Sequence, residues 1–147
     1  MVMQDFFKRY IPEFVYGAVD GTVTTFAVVA ASAGAGISSS VILILGIANL
    51  IADGFSMGSS AYLAASAEHE ESVRDTQKRS SPKIIGTVTF LAFVVVGSVP
   101  VLPYLIDVIA NLKAPNAVLF YISSALTAAT FLAIGFIKGK VSKQSPW

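Results

Sequence analysis

Two aspartates and a methionine stand inside long apolar stretches of the sequence, where charged side chains are rare. Asp20 lies in the first stretch, and Asp53 and Met57 lie in the second. Because Asp53 and Met57 are four residues apart, they share one face of a helix. A carboxylate that faces hydrocarbon costs several kcal/mol, so such residues usually face the interior of a bundle and mark a functional site. The three residues are therefore candidates for one polar site.

The residue types at this site favour a metal ion. Carboxylate oxygens bind hard or borderline divalent cations, and a thioether favours transition metals such as Fe(II) over Mg(II) or Ca(II). A rise of about 1.5 Å per residue places Asp20 roughly 9 Å, Met57 roughly 8 Å and Asp53 roughly 14 Å from the cytoplasmic edge of the bilayer. We therefore expect the three side chains to line one site between two antiparallel helices.

Neighbouring residues extend the two helix surfaces. Gly17 and Gly21 form a small-xxx-small pattern, which allows two helix backbones to pack closely. In the second stretch a polar stripe recurs at three- and four-residue spacing and contains Gly46, Asn49, Asp53, Met57 and Ser60. We expect Asn49 and Thr24 to belong to the polar face of these helices, which would line a pore.

The elements that must position these residues are four apolar stretches. Only 13% of the residues are charged, against about 25% in soluble domains. The stretches cover residues 14–35, 40–65, 84–106 and 116–137, and each exceeds the roughly 20 residues that a membrane span requires. Helices satisfy their own backbone hydrogen bonds in lipid. We predict an all-α, polytopic membrane protein with one transmembrane domain over residues 1–147.

The basic residues lie mostly on one side of these spans. Nine of the ten lysines and arginines precede the first span, separate the second from the third, or follow the fourth, and Lys113 is the exception. The positive-inside rule therefore predicts that both termini are cytoplasmic. The cytoplasmic linker 68–83 begins with acidic residues, Glu68, Glu70 and Glu71. They are either a cluster that attracts metal to the cytoplasmic mouth or the solvated end of a helix.

Two further patterns concern the third and fourth spans. Pro100 and Pro103 are expected to break or kink the outer end of the third span, and we favour a helix that ends near the outer surface. The fourth span carries four hydroxyl side chains that we expect to form hydrogen bonds between helices: Ser123, Ser124, Thr127 and Thr130.

Three segments resemble the vacuolar iron transporter family, in order and with the family's spacing. They are DGTVTTFAVVA at 20–30, LGIANLIADGFSM at 45–57 and VPVLPY at 99–104. The resemblance implies a homodimeric, proton-coupled exporter that moves Fe(II), with Mn(II) as a further candidate, out of the cytoplasm. It implies that Asp20 and Met57 are the metal ligands, near the dimer axis. The role of Asp53 is inferred from helical geometry alone.

The sequence also departs from the family pattern. A glutamate often follows the second-helix methionine by four residues, and here that residue is Ala61. Eukaryotic members carry a Glu-rich domain between the second and third helices, which a 16-residue linker cannot hold. Members normally have five helices, and only four are predicted here. We therefore expect a prokaryotic form without the cytoplasmic domain, in a cell membrane and without a cofactor. The fifth helix is absent from this chain either through truncation or because the chain is a natural short form.

Two alternatives to a metal transporter remain open from the residues. One is a four-helix, proton-coupled exporter of organic cations, which would usually place a glutamate in the first span. The other is a truncated membrane subunit without transport activity of its own. An enzyme is not expected, because the single histidine has no nucleophile or metal cage around it. Nothing indicates nucleic-acid binding, and the absence of cysteine excludes disulfides, zinc–thiolate sites and iron–sulfur clusters.

Overall fold

The computed structural model describes residues 2–71 and 80–142, and the side chains of residues 9–68 and 80–140. All regular elements in these residues are helical: α1 (Val2–Gly34), α2 (Ser39–Glu71), α3 (Pro82–Gly97), α4 (Leu102–Ala110) and α5 (Asn116–Ser142). In this part of the chain, four segments are long and apolar enough to cross a membrane. They are Arg9–Gly34, Ser39–Glu68, Pro82–Ala110 and Asn116–Lys140. The predicted all-α protein with four transmembrane helices is confirmed.

The helices run up and down, and short connections join them at one end of the bundle. Residues 35–38 join α1 to α2, and residues 111–115 join α4 to α5. We call this end the loop end. The opposite end, where α1 and α3 begin and α2 and α5 end, is the linker end. Tyr10 and Ser81 meet there, because the backbone N–H of Ser81 donates to the Tyr10 hydroxyl at 3.3 Å.

The third span consists of two helices joined by one irregular turn. α3 ends at Gly97, a 3-10 turn covers Val99–Val101, and α4 continues the span for nine residues. Both prolines lie at this joint, and since proline has no backbone N–H it cannot continue an α-helical hydrogen-bond ladder. The predicted break is present. The expectation that the helix ends near the outer surface was wrong, because α4 resumes directly after the turn.

Only one of the four hydroxyl side chains of α5 bonds to another helix. Ser123 donates to the carbonyl oxygen of Pro100 at 2.7 Å, at the irregular turn of the third span. Ser124, Thr127 and Thr130 each donate to the carbonyl four residues earlier in α5. The expectation of interhelical bonds was therefore wrong for these three. In an apolar helix this local carbonyl is always within reach of a serine or threonine hydroxyl.

The core of the loop end is a cluster of large apolar side chains. The helices α1, α2, α4 and α5 and the 3-10 turn each contribute one buried member: Val29, Ile42, Tyr104, Leu119 and Val101. We call this set the loop-end cluster. At this end, Asp107 is only 6% exposed, and its Oδ1 accepts the backbone N–H of Ala114 at 2.9 Å. The loop after α4 is thereby fixed through a buried carboxylate.

Candidate metal site at the α1–α2 interface

The backbone of α1 lies directly against α3 along a row of glycines. A Cβ atom added at Gly21 would lie 2.5 Å from the carbonyl oxygen of Phe93, and one at Gly97 would lie 2.8 Å from the carbonyl oxygen of Gly21. A Cβ atom at Gly17 would collide with the carbonyl oxygen of Thr89. Since no side chain fits between the two helices, this contact fixes the rotation of α1 and thus the direction of Asp20.

Asp20 lies at the edge of the buried face of α1. Its helical neighbours Gly17 and Gly21 are buried against α3, and Asp20 itself is partly exposed. At 100° per residue, Asp20 points about 100° away from Gly21. It therefore points away from the α3 contact, and its charge interacts with that of Asp53 in α2.

One contact between α1 and α2 gives their register. The side-chain amide of Asn49 approaches the hydroxyl of Thr25 at 3.5 Å. Because the helices are antiparallel, one turn toward the linker end in both of them leads to Asp53 in α2 and to Gly21, beside Asp20, in α1. The two carboxylates are accordingly close enough for their charges to interact.

Met57 lies one further turn toward the linker end, next to Asp53 on the surface of α2. It is half-buried, and the glycines on either side of it, Gly54 and Gly58, are buried. Those glycines contact the side chains of Phe90 and Phe93 in α3. Met57 therefore occupies the border between the α3-facing surface of α2 and the carboxylate-bearing surface. Asp20, Asp53 and Met57 together form what we call the α1–α2 site.

The α1–α2 site is open on one side. Asp53 and Ser56 are exposed on the surface of the single chain. In the described residues, no group of three or more Asp, Glu, His or Cys side chains could hold a metal ion. A single chain thus supplies two carboxylates and one thioether, which is fewer donors than a first-row divalent ion usually takes.

Glu13 is a further acidic residue on the same face of α1, which the sequence analysis did not select. It precedes Asp20 by seven residues, close to two helical turns, so the two carboxylates point in nearly the same direction. Its Oε2 atom is buried and has no hydrogen-bond partner among the described residues. The spacing of seven was a usable signal. The predicted first span begins at residue 14 and leaves Glu13 outside it, whereas the membrane-length segment begins at Arg9.

The remaining predicted site residues lie at different places. The hydroxyl of Thr24 donates to the carbonyl oxygen of Asp20 at 2.9 Å, so Thr24 is next to the site while its proton bonds within α1. Glu68 is exposed near the end of α2. The side chains of Glu70 and Glu71 lie outside the described residues.

Comparisons with known proteins agree with one another. The model of the VIT family matches residues 11–83 and 69–147. A vacuolar iron transporter of Toxoplasma gondii is 46% identical over 61 residues, which cover 42% of this chain and 20% of that protein. Vacuolar iron transporter 1 of Arabidopsis thaliana is 37% identical over 75 residues, which cover 51% of this chain and 30% of that protein.

A third relative shows the same partial coverage. A vacuolar iron transporter of Plasmodium falciparum is 36% identical over 63 residues, or 43% of this chain and 23% of that protein. The chain thus spans less than a third of the length of these curated relatives. No solved structure matches it.

Proposed function

The chain belongs to the VIT family, and from that premise we propose that it is an integral membrane transporter of divalent transition-metal ions, with Fe(II) as its main substrate. The observation that carries this proposal is that Asp20 and Asp53, inside two membrane-length segments, lie near enough across the α1–α2 interface for their charges to interact. Two carboxylates that face each other without a cation repel one another. A divalent ion between them removes that repulsion.

The choice of metal rests on Met57. A site with carboxylates only would suit Mg(II) or Ca(II) as well as a transition metal. A thioether beside the carboxylates lowers the relative affinity for these hard ions and favours Fe(II). Mn(II) is a second substrate under this proposal, because it accepts oxygen-rich ligand sets.

A homodimer would complete the site. Asp53 is exposed on the surface of the single chain, and an aspartate that faces lipid at the middle of a membrane helix costs about 2.5–3.5 kcal/mol. If a second copy covers this face, the carboxylates of both chains approach one another and the number of metal donors doubles.

The proposed direction of transport is out of the cytoplasm, with the linker end facing the cytoplasm because most basic residues are there. Glu13 lies between the linker end and Asp20, so it is a first carboxylate on the metal's path. Beyond Asp20, the loop-end cluster closes the bundle with buried apolar side chains. This arrangement corresponds to a state that receives metal from the linker end.

Proton coupling follows from the ligand types. A carboxylate must be deprotonated to bind a metal ion, so metal binding releases protons and proton binding releases metal. Protons that return through the loop end would release the metal ion from the α1–α2 site toward the outside. Asp20 and Asp53 are the groups that would carry both the metal and the protons.

Transport in reconstituted liposomes tests the proposal. We expect the purified full chain to move Fe(II), and Mn(II) more slowly, with opposite movement of protons reported by an internal pH dye. Mg(II), Ca(II) and a quaternary ammonium ion serve as control cations in the same assay. Absence of Fe(II) movement would contradict metal transport, and movement of the quaternary ammonium ion instead would favour an organic-cation exporter.

A further inference from the structure

A groove lies on the surface between α2 and α3 at the linker end. It encloses about 550 Å³, which is within the roughly 300–1,000 Å³ typical of sites for small ligands. It is separate from the α1–α2 site, because its α2 wall is the surface of that helix that faces away from α1. Nothing in the metal-transport proposal uses it.

The floor of the groove is formed by two glycines. A Cβ atom added at Gly58 would lie 2.8 Å from the Cβ of Phe90, and one at Gly86 would lie 2.7 Å from the carbonyl oxygen of Gly58. The two helix backbones therefore touch at this point, and the larger residues on either side rise above it. The groove is a fixed consequence of this contact.

The walls are apolar along most of their length and polar at one end. Phe55 and Leu63 of α2 are 70% and 63% exposed, and Phe90 forms the opposite wall. Toward the linker end the groove is lined by Thr87 and then by Lys83, in the first turn of α3. The apolar part thus lies deeper in the membrane and the ammonium group lies near its surface.

Lys83 has no negative partner in the described part of the chain, and no acidic residue lines the groove. A lysine in the first turn of a helix is also unfavourable for the helix dipole. Its position is therefore not explained by the stability of α3, and among the described residues its ammonium group is the positive charge at the polar end of the groove.

We propose that this groove binds an anionic phospholipid of the leaflet at the linker end, with an acyl chain along the apolar walls and the phosphate group on Lys83. Charge complementarity favours this occupant over a second copy of the chain. A two-fold contact centred on the groove is self-complementary, so it would bring the two Lys83 ammonium groups together. A zwitterionic lipid fills the same apolar walls but leaves the lysine without a net counter-charge.

Native mass spectrometry on the full chain in detergent tests this inference. The probes are phosphatidylglycerol and phosphatidylcholine with identical acyl chains. We expect the wild-type chain to retain phosphatidylglycerol about fivefold better, the ratio expected for one lysine near an anionic membrane surface. Lys83→Gln should remove this preference, whereas Lys113→Gln, an exposed lysine at the loop end, should keep it. An unchanged preference in Lys83→Gln would overturn the proposal.

Two further measurements separate the lipid from other occupants. Thr87→Phe places a ring on the rim of the groove and should weaken retention of both lipids about equally. If this variant changes the oligomeric state but not lipid retention, a second copy is the occupant and the proposal fails. Glycerol phosphate carries the anion without acyl chains, so we expect it not to displace phosphatidylglycerol. Displacement at equal concentration would show a free-anion site and would also overturn the proposal.

Discussion

The two ends of the bundle place aspartates in opposite situations. Asp107 at the loop end is nearly fully buried and accepts a backbone N–H from Ala114. Asp20 and Asp53 are less buried, yet neither carboxylate accepts a hydrogen bond from a described residue. A buried carboxylate with protein donors is part of the fold, whereas two neighbouring carboxylates without such donors are candidates for binding a cation. The hydrogen-bond partners of an intramembrane carboxylate therefore indicate its role better than its degree of burial does.

Packing differs between the same two regions. The loop end is filled by large side chains, among them Tyr104, which has no exposed surface. Around the α1–α2 site the helices meet through glycines such as Gly17 and Gly21. Large side chains fill the bundle at the loop end, whereas beside the α1–α2 site small residues let α1 and α3 pack closely.

The strongest test of this comparison is the neutral replacement of one aspartate at each end. Asp20→Asn should reduce Fe(II) movement into liposomes by more than about 100-fold. Loss of a residue that hydrogen-bonds to a metal ligand typically costs about 10–100-fold in metal affinity or activity, and the loss of a direct ligand should exceed this. Asp107→Asn should change it less than twofold, because the amide oxygen can still accept the Ala114 N–H. Equal losses in both variants would remove the distinction between the two ends.

A second test concerns the glycine contact that positions Asp20. Gly21→Ala should destabilise the protein by about 2 kcal/mol, because the added methyl meets the Phe93 carbonyl and the packing must yield. Thermal unfolding in detergent measures the loss. The matched control is Gly135→Ala in α5, where an added Cβ meets nothing within 4 Å. A stability loss of similar size at Gly135 would show that close packing is not the cause.

Met57→Leu tests whether the thioether contributes more than packing. Leucine has a similar volume, and such exchanges usually cost less than about 1.5 kcal/mol of stability. We expect the preference for Fe(II) over Mg(II) in competition transport to fall about tenfold, with folding retained. If the preference stays the same, the α1–α2 site selects metals through its carboxylates only.

The smallest effect is expected at Glu13, which precedes the α1–α2 site on the same face of α1. Glu13→Gln should slow Fe(II) movement about threefold at low salt, since one charge near a path raises the local cation concentration. The effect should shrink at high salt, and equilibrium metal affinity should not change. A loss of affinity equal to that of Asp20→Asn would make Glu13 a direct ligand and shift the site toward the linker end.

The sequence was sufficient for the four spans because their length and apolar character are properties of each segment alone. It also predicted that Asp20 lies at a level between those of Met57 and Asp53, since rise per residue and antiparallel connection determine the level of each residue. Glu13 was missed for a different reason. The predicted first span begins at residue 14, directly after this charged residue. In the structure α1 already begins before Pro12 and includes Glu13.

The hydroxyl side chains of α5 show what a sequence pattern cannot supply. Ser123 and Ser124 are adjacent and chemically identical, yet one bonds to Pro100 and the other to its own helix. The difference depends on which of them faces the irregular turn of the third span. That information exists only once α5 and the turn are packed together, so residue type alone could not decide between the two partners.

The glycine row between α1 and α3 also restricts how the bundle can move. Gly21 and Gly97 meet backbone to backbone, so a shift of α1 by one residue along α3 would drive Thr22 or Asp20 into a space without room for a side chain. The two helices therefore pack as one unit, and α2 meets α3 in the same close way at Gly58 and Gly86. Under the proposed transport, opening of the loop end would then occur by hinging of α4 or α5 against this unit, and Asp20 would stay fixed to it.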